Sequence, residues 1–259
     1  MRILVSNDDG IYADGLKALV NELKKIGEVV VIAPAEHQSG AGHSITFNGI
    51  VKVEKIAYDE GITGYKVFGK PRDCVEIGLG AIVKDIDLVV SGINEGCNLS
   101  SDCVSSGTCG AACAAMPFKI PAIAVSLGFG ESYDYQPAAE VTKNIALWFV
   151  QQPFNKDFVL SINVPNIKNT EKINGITVAG FGGYPSYHTD LTPEFDGQYY
   201  YYNTRSTNVT FNYTDESING DLYAIDHNYI TLTPLSVNMV KEDSLPLLKE
   251  SWQKNKNAL

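Results

Sequence analysis

Several things are missing from this chain of 259 residues, and each absence removes a class of function. No apolar run approaches the ~18 residues that span a bilayer, so no transmembrane helix is expected. No basic N-terminal segment leads into an apolar stretch, so no signal peptide is expected and cytoplasmic localisation is the default. Basic residues are scarce, with Lys and Arg numbering 20 against 30 Asp and Glu, for a net charge of −10. Counterion release needs a basic surface, so polymeric nucleic acid and anionic membranes are not expected partners. A small anionic substrate held by local donors or by a metal remains compatible with that charge. No Cys-x-x-Cys pair occurs among the five cysteines (Cys74, Cys97, Cys103, Cys109, Cys113). Their spacing fits no familiar zinc pattern, and they read as free thiols in a reducing compartment.

Two phosphate-binding signatures are also absent. GxxxxGK[ST] does not occur, which excludes a Walker P-loop, and no GxGxxG follows the first strand. What is present is a regular alternation of elements. RILVS (2–6) reads as a short buried strand. Leu16, Leu19, Val20 and Leu23 then fall at i, i+3, i+4 and i+7, predicting a helix with Asp14 as N-cap and Gly27 as stop. Strands are expected over 28–33, 45–53, 64–68, 85–92, 121–127 and 158–165, and helices over 72–83, 107–116 and 137–151. Apolar, β-branched strands alternating with helices predict an α/β fold, a doubly wound and mostly parallel sheet covered on both faces. The character changes near residue 175, where strand-like stretches at 199–203 and 227–235 follow without alternating helices, before a final helix over 242–255. Residues 1–175 therefore read as the core, and 176–259 as a β-rich extension, an arm that packs on another subunit rather than an independent domain.

Ligands of open parallel sheets bind beyond the carboxyl ends of the strands. Three loops leaving such ends carry Asp8-Asp9, Ser39 in HQSGAGHS, and Asn94 in SGINEGCNLS. Adjacent carboxylates repel one another, and a bound cation offsets that repulsion. The four side chains offer only oxygen, which suits Mg²⁺, Mn²⁺ or Ca²⁺, and they leave coordination positions for water and substrate. Asp-Asp-Gly is equally the composition of a solvent-exposed turn; the joint placement at three strand ends favours the metal. Ser106-Gly107-Thr108 opens a predicted helix, offering backbone N–H groups and hydroxyls to a phosphate, or serving as an ordinary serine cap. NDDGI also invites comparison with phosphatases that use DxDG[TV], but alignment on Gly10 puts Asn7 at the nucleophile, and an amide cannot attack phosphorus.

These stretches together resemble one family. ILVSNDDGI, VVVIAPAEHQSGAGHSIT, DLVVSGINEGCNLS and SSGTCGAA stand in the order and spacing of the SurE 5′-nucleotidases, and GKPRDCVEIGL, LSINVP and ITLTPL extend the likeness over most of the chain. The resemblance implies a Rossmann-like core with a metal-dependent phosphomonoesterase site. It implies one divalent cation per subunit at Asp8, Asp9, Ser39 and Asn94, with Mg²⁺ or Mn²⁺ expected and Ca²⁺ able to occupy the position. It implies substrate contacts at Asn98, Ser106, Gly107 and Thr108, and a homodimer or homotetramer built through the C-terminal segment. The expected reaction is hydrolysis of nucleoside monophosphates by a metal-activated water, with 3′-nucleotidase and exopolyphosphatase activity as extensions. The chain departs from the family pattern in three respects: Ser100 replaces the last glycine of Asn-Leu-Gly, Lys70 stands where Gly-Thr-Pro has threonine, and Cys97, Cys103 and Cys109 crowd the loops of the site where other residues are expected.

Asp8 and Asp9 are thus the candidate catalytic pair. His43, near Ser39, is the candidate general acid or base, with a hydrogen-bonded structural histidine as the alternative and His37 as the weaker candidate. The competing functional classes are a nucleotide-binding module without catalysis and an interaction protein whose acidic loop binds Ca²⁺ structurally.

Overall fold

In β1 (Arg2–Ser6), Ile3 and Val5 are buried in one apolar cluster and Leu4 in another. A strand with apolar side chains on both faces must be covered on both faces, and the rest of the fold supplies the covers. The computed structural model describes residues 1–167, 172–206, 208–238, 240 and 242–255. Its main sheet has nine strands in the order β3-β4-β2-β1-β5-β6-β7-β13-β8. They are β2 (Glu28–Pro34), β3 (Lys52–Asp59), β4 (Ile62–Phe68), β5 (Leu88–Glu95), β6 (Ala122–Leu127), β7 (Val159–Val164), β8 (Gly175–Val178) and β13 (Tyr229–Leu235). The six central strands from β4 to β7 pair in parallel, while β3 against β4 and β13 against β7 are antiparallel.

Helices α1 (Asp14–Leu23) and α5 (Gln136–Phe149) cover the face of Ile3 and Val5, while α2 (Pro71–Ile77) and α4 (Gly107–Cys113) cover the face of Leu4. The doubly wound mostly parallel sheet expected from the alternation is therefore what forms. On α1, Leu16, Leu19, Val20 and Leu23 are all buried, as their spacing predicts. The chain fills one half of the sheet through β2, β4 and β3, then returns to the other side of β1 to start β5. The crevice where this reversal occurs lies between the carboxyl ends of β1 and β5, the place where such sheets bind ligands.

Several local expectations need correction. Asp14 is the first helical residue and Ala13 occupies the N-cap, Asp14 pairs with Lys17 at 3.0 Å, and the helix ends at Leu23 with Lys24, not Gly27, at the C-cap. Residues 45–51 are irregular, and the edge strand begins at Lys52, so all but the last two residues of the 45–53 segment are loop. The strand expected over 85–92, β5, runs Leu88–Glu95, which carries Asn94 inside the strand.

Beyond residue 175, β9 (Gly183–His188) pairs with β12 (Asn208–Tyr213), and β10 (Glu194–Phe195) pairs with β11 (Tyr200–Tyr201). The segment also contains α6 (Asp221–Asp226) and α7 (Leu245–Asn255). The short helix α3 (Asp102–Ser105) precedes α4. The extension also enters the core: β13 lies between β7 and β8 in the main sheet.

Candidate active site

Asp8 sits just beyond β1 and is 3 % exposed. The Thr108 hydroxyl donates a hydrogen bond to Asp8 Oδ1, and the Asp8 carbonyl accepts from Gln38 N at 2.7 Å. A Cβ at Gly107 would lie 2.7 Å from both Cβ and Oδ2 of Asp8, so only glycine lets the first turn of α4 approach this closely. Burial pushes the Asp8 carboxyl above its usual range, and the Thr108 hydrogen bond works against that rise.

Asp9 is more open, with 14 % of its side chain exposed, and His37 Nδ1 lies 3.4 Å from its Oδ1. Burial first, then the charge of Asp8, pushes the Asp9 carboxyl up to about 6. Asp9, His37 and Glu95 line a cavity of about 450 Å³ together with Tyr133 and Tyr135.

Asn94 is held by its own amide nitrogen, which donates to Gly96 O at 2.8 Å, with the side-chain carbonyl oxygen not engaged in that bond. Ser39 is exposed and follows Gln38, whose backbone is the one tied to Asp8. The loop that carries it is anchored further along by Asp73, which accepts from Thr46 N at 2.9 Å, Thr46 Oγ1 at 2.6 Å and Lys70 N at 2.8 Å. That loop also packs on α4, where a Cβ at Gly110 would lie 2.4 Å from Gly42 O.

The expected phosphate contacts divide into two groups. Ser106 caps α4 by accepting from Cys109 N at 3.1 Å, and its own N–H is bonded to Asp102 O at 3.0 Å. The Ser106 hydroxyl proton and the Gly107 N–H are what this turn offers a ligand, because Thr108 is committed to Asp8. Asn98 follows β5 and is 8 % exposed. Its amide nitrogen donates to Ser126 Oγ at 2.9 Å, and its backbone is clamped by Asn163, which accepts from Asn98 N at 2.9 Å and donates to Asn98 O at 3.0 Å.

The structure brings Asp8, Gly107 and Thr108 together directly; Ser39 follows Gln38, which is bonded to Asp8, and Asn94 precedes Glu95, which shares a cavity with Asp9. It takes His43 elsewhere. His43 Nε2 is 3.3 Å from Cys103 O, and the ring lines a separate cavity of about 580 Å³ with Arg72, Cys113 and Phe181. The imidazole beside the acidic pair is that of His37. Sequence reasoning missed Ser126 and Asn163. Their signal was a polar residue near the carboxyl end of an otherwise apolar strand, in AIAVSL and VLSINV.

Among the described residues no group of three or more His, Cys, Asp and Glu is placed to hold a metal. The candidate donor set nonetheless fits a hard divalent cation. It is all oxygen, and its two adjacent carboxylates are largely buried. Asn7 Oδ1, beside Asp8 in the chain, is buried without a hydrogen-bond partner among the described residues.

A family model described as Survival protein SurE matches residues 3–185. The chain belongs to the SurE family. Among curated SurE relatives, the 5′-nucleotidase SurE of Clostridium botulinum (strain Alaska E43 / Type E3) is 35 % identical over 257 residues, 98 % of this chain and 100 % of that protein. The 5′-nucleotidase SurE of Idiomarina loihiensis is 37 % identical over 261 residues, 99 % of this chain and 100 % of that protein. The crystal structure of the SurE protein from Aquifex aeolicus superposes with a TM-score of 0.80 at 31 % identity, covering 97 % of this chain and 99 % of that one, and the core is Rossmann-like accordingly.

Two of the departures from the SurE pattern, Lys70 and Ser100, have a structural answer. Lys70 donates to Gln38 Oε1 at 3.0 Å, which attaches the Ser39 loop to the start of α2. Ser100 keeps a backbone suited to glycine, with φ of +48°, and is fully buried.

Proposed function

We propose that this protein is a divalent-metal-dependent 5′-nucleotidase that hydrolyses nucleoside monophosphates to nucleoside and phosphate. The observation that carries the reading is the packing of Asp8 against Gly107 and Thr108, which sets an acidic pair beside a turn with free phosphate donors. The full-length likeness to relatives named 5′-nucleotidase SurE supports the same reaction.

Asp8, Asp9, Ser39 and Asn94 would hold the cation, with Mg²⁺ or Mn²⁺ for turnover and Ca²⁺ able to occupy the same oxygens. When bound, such an ion supplies charge neutralisation at the phosphate and a water acidic enough to attack near neutral pH. Thr108 orients Asp8 and limits its tendency to take up a proton. The Ser106 hydroxyl and Gly107 N–H would bind phosphate oxygens together with Asn98, holding the group in line for displacement. His37 Nδ1 stands 3.4 Å from Asp9 Oδ1. Nucleoside 3′-monophosphates and short polyphosphates present the same terminal group and are proposed as secondary substrates.

The extension is proposed to build a homodimer or homotetramer. Its last helix, α7, leaves Leu247, Leu248 and Trp252 exposed, an apolar face suited to a second copy. Among the described residues no helix is long and apolar enough to cross a membrane. The test of function is phosphate release from a panel of nucleoside 5′- and 3′-monophosphates with added Mn²⁺ or Mg²⁺. Faster release from the 5′ series supports the reading; no release from any nucleotide by folded protein refutes it.

A further inference from the structure

Ser100 lies two residues beyond Asn98 and adopts a conformation that side-chain-bearing residues avoid, with φ of +48°. What holds it there is Asp221, the first residue of α6, more than a hundred positions away in the extension. One carboxylate oxygen accepts from Ser100 N at 2.6 Å, and the other accepts from Ser100 Oγ at 2.6 Å. The second oxygen also accepts from Gly182 N at 2.9 Å and Leu222 N at 2.8 Å. Asp221 is 1 % exposed, and no cationic side chain pairs with it among the described residues. Its two oxygens are occupied by four aligned donors, and two of those four belong to Ser100.

Two further contacts join the same parts. Leu99 and Cys97 form a small buried apolar cluster with Leu222 and Ile225 of α6. Tyr187 of β9 donates to the Asp102 carboxylate just after the loop. The segment from Cys97 to Asp102 is therefore bound on one side to β6 and β7 through Ser126 and Asn163, and on the other to the extension.

We propose that Asp221 is a positioning residue for phosphate binding. By gripping both the backbone and the hydroxyl of Ser100 it keeps that residue left-handed, and this fixes the peptide planes that present Asn98 to the substrate. The proposal rests on the reading of Asn98 as a phosphate contact. Its consequence is that the extension is part of the active site's framework, since the segment that completes the phosphate site is held by α6.

The test is a cycle of Asp221→Asn, Ser100→Gly and the double variant. An asparagine whose oxygen keeps Ser100 Oγ, Gly182 N and Leu222 N turns its NH₂ toward Ser100 N–H, breaking that one contact. Glycine holds positive φ without help, so Ser100→Gly restores the loop when the carboxylate is gone. Asp221→Asn should raise KM for a nucleoside 5′-monophosphate about tenfold, the size expected for one lost charge-assisted hydrogen bond. The apparent affinity for Mn²⁺ should stay the same, because Asp8 and Asp9 are untouched. The double variant should recover most of the loss.

Amide hydrogen exchange over residues 96–101 reads the loop directly and does not depend on activity. It should quicken in Asp221→Asn and slow again in the double variant. Unchanged exchange in Asp221→Asn, or no recovery in the double variant, overturns the proposal. Inactive wild-type protein overturns the nucleotidase reading instead, while exchange still decides the loop. Should Asp221→Asn not fold, Ser100→Ala removes one of the two contacts and leaves α6 intact; exchange there must exceed that of the wild type, or the proposal fails.

Discussion

Thr108 donates its hydroxyl hydrogen bond to Asp8 across 100 residues of sequence, and both side chains are almost wholly buried. One carboxylate of the acidic pair is thus oriented by the first turn of α4, while the other faces the crevice. A residue that orients a metal ligand typically contributes about 10–100-fold in metal affinity or activity. Thr108→Val keeps the shape and removes the hydroxyl, so turnover or Mn²⁺ affinity should fall within that range. Thr108→Ser should retain most of both. Steady-state kinetics over a metal titration distinguishes them.

Gly107→Ala should cost activity for a steric reason. Alanine is the better helix former by about 1 kcal/mol, yet its Cβ would stand 2.7 Å from Asp8. Something must shift, and the mobile partner is the Asp8 side chain. The expected result is a melting temperature near or below that of wild type and a clear loss of kcat/KM. Undiminished turnover would show that Asp8 is not held against this turn.

Acid stability should track Glu22. This buried carboxylate accepts from Lys143 Nζ at 2.7 Å and Gln136 Nε2 at 2.7 Å, and it also pairs with Lys25. These donors, Lys143 first, lower its pKa from the usual 4.5 to about 2. A lowered folded-state value means that stabilisation is present above about 4.5 and is lost as pH falls from there through about 2. Lys25 and Lys143 both reach solvent, so Glu22→Gln should cost about 1–3 kcal/mol at neutral pH. Urea unfolding at pH 7 and at successively lower pH should show the wild-type advantage shrinking; a constant difference would contradict the assignment.

All five thiols are buried and none is in a disulfide. Burial pushes Cys97 and Cys113 up to about 12. The folded protein should therefore react slowly with a thiol-specific reagent, and unfolding should release all five groups. Fast labelling of a native cysteine would contradict this packing.

How much of this was legible in the sequence depended on whether the signal was local. The alternation of apolar strands and helices placed the sheet, and Leu16, Leu19, Val20 and Leu23 placed the face of α1. Irregular backbone was less legible. Thr46 lies in loop because Asp73 hydrogen-bonds it there, and no local pattern marks a carboxylate 27 residues away. The acidic pair was visible because strand ends bear ligands, whereas Ser126 and Asn163 were hidden as polar residues in apolar strands. His37 and His43 look alike in one loop, and only folding sends one to Asp9 and the other to Cys103 O. Asp221 was invisible, since its meaning lies in a backbone angle at Ser100.

The central claim is that the Asp8–Asp9 pair holds a cation needed for phosphoryl transfer. Its most direct test strips wild-type protein and Asp9→Asn with chelator, then follows phosphate release from a nucleoside 5′-monophosphate as Mn²⁺ is returned. Wild type should regain activity saturably, and Asp9→Asn should stay folded, bind Mn²⁺ more weakly and recover little. Full activity in stripped protein, or equal recovery in the variant, would contradict the claim and return Asp8-Asp9-Gly10 to the status of a turn.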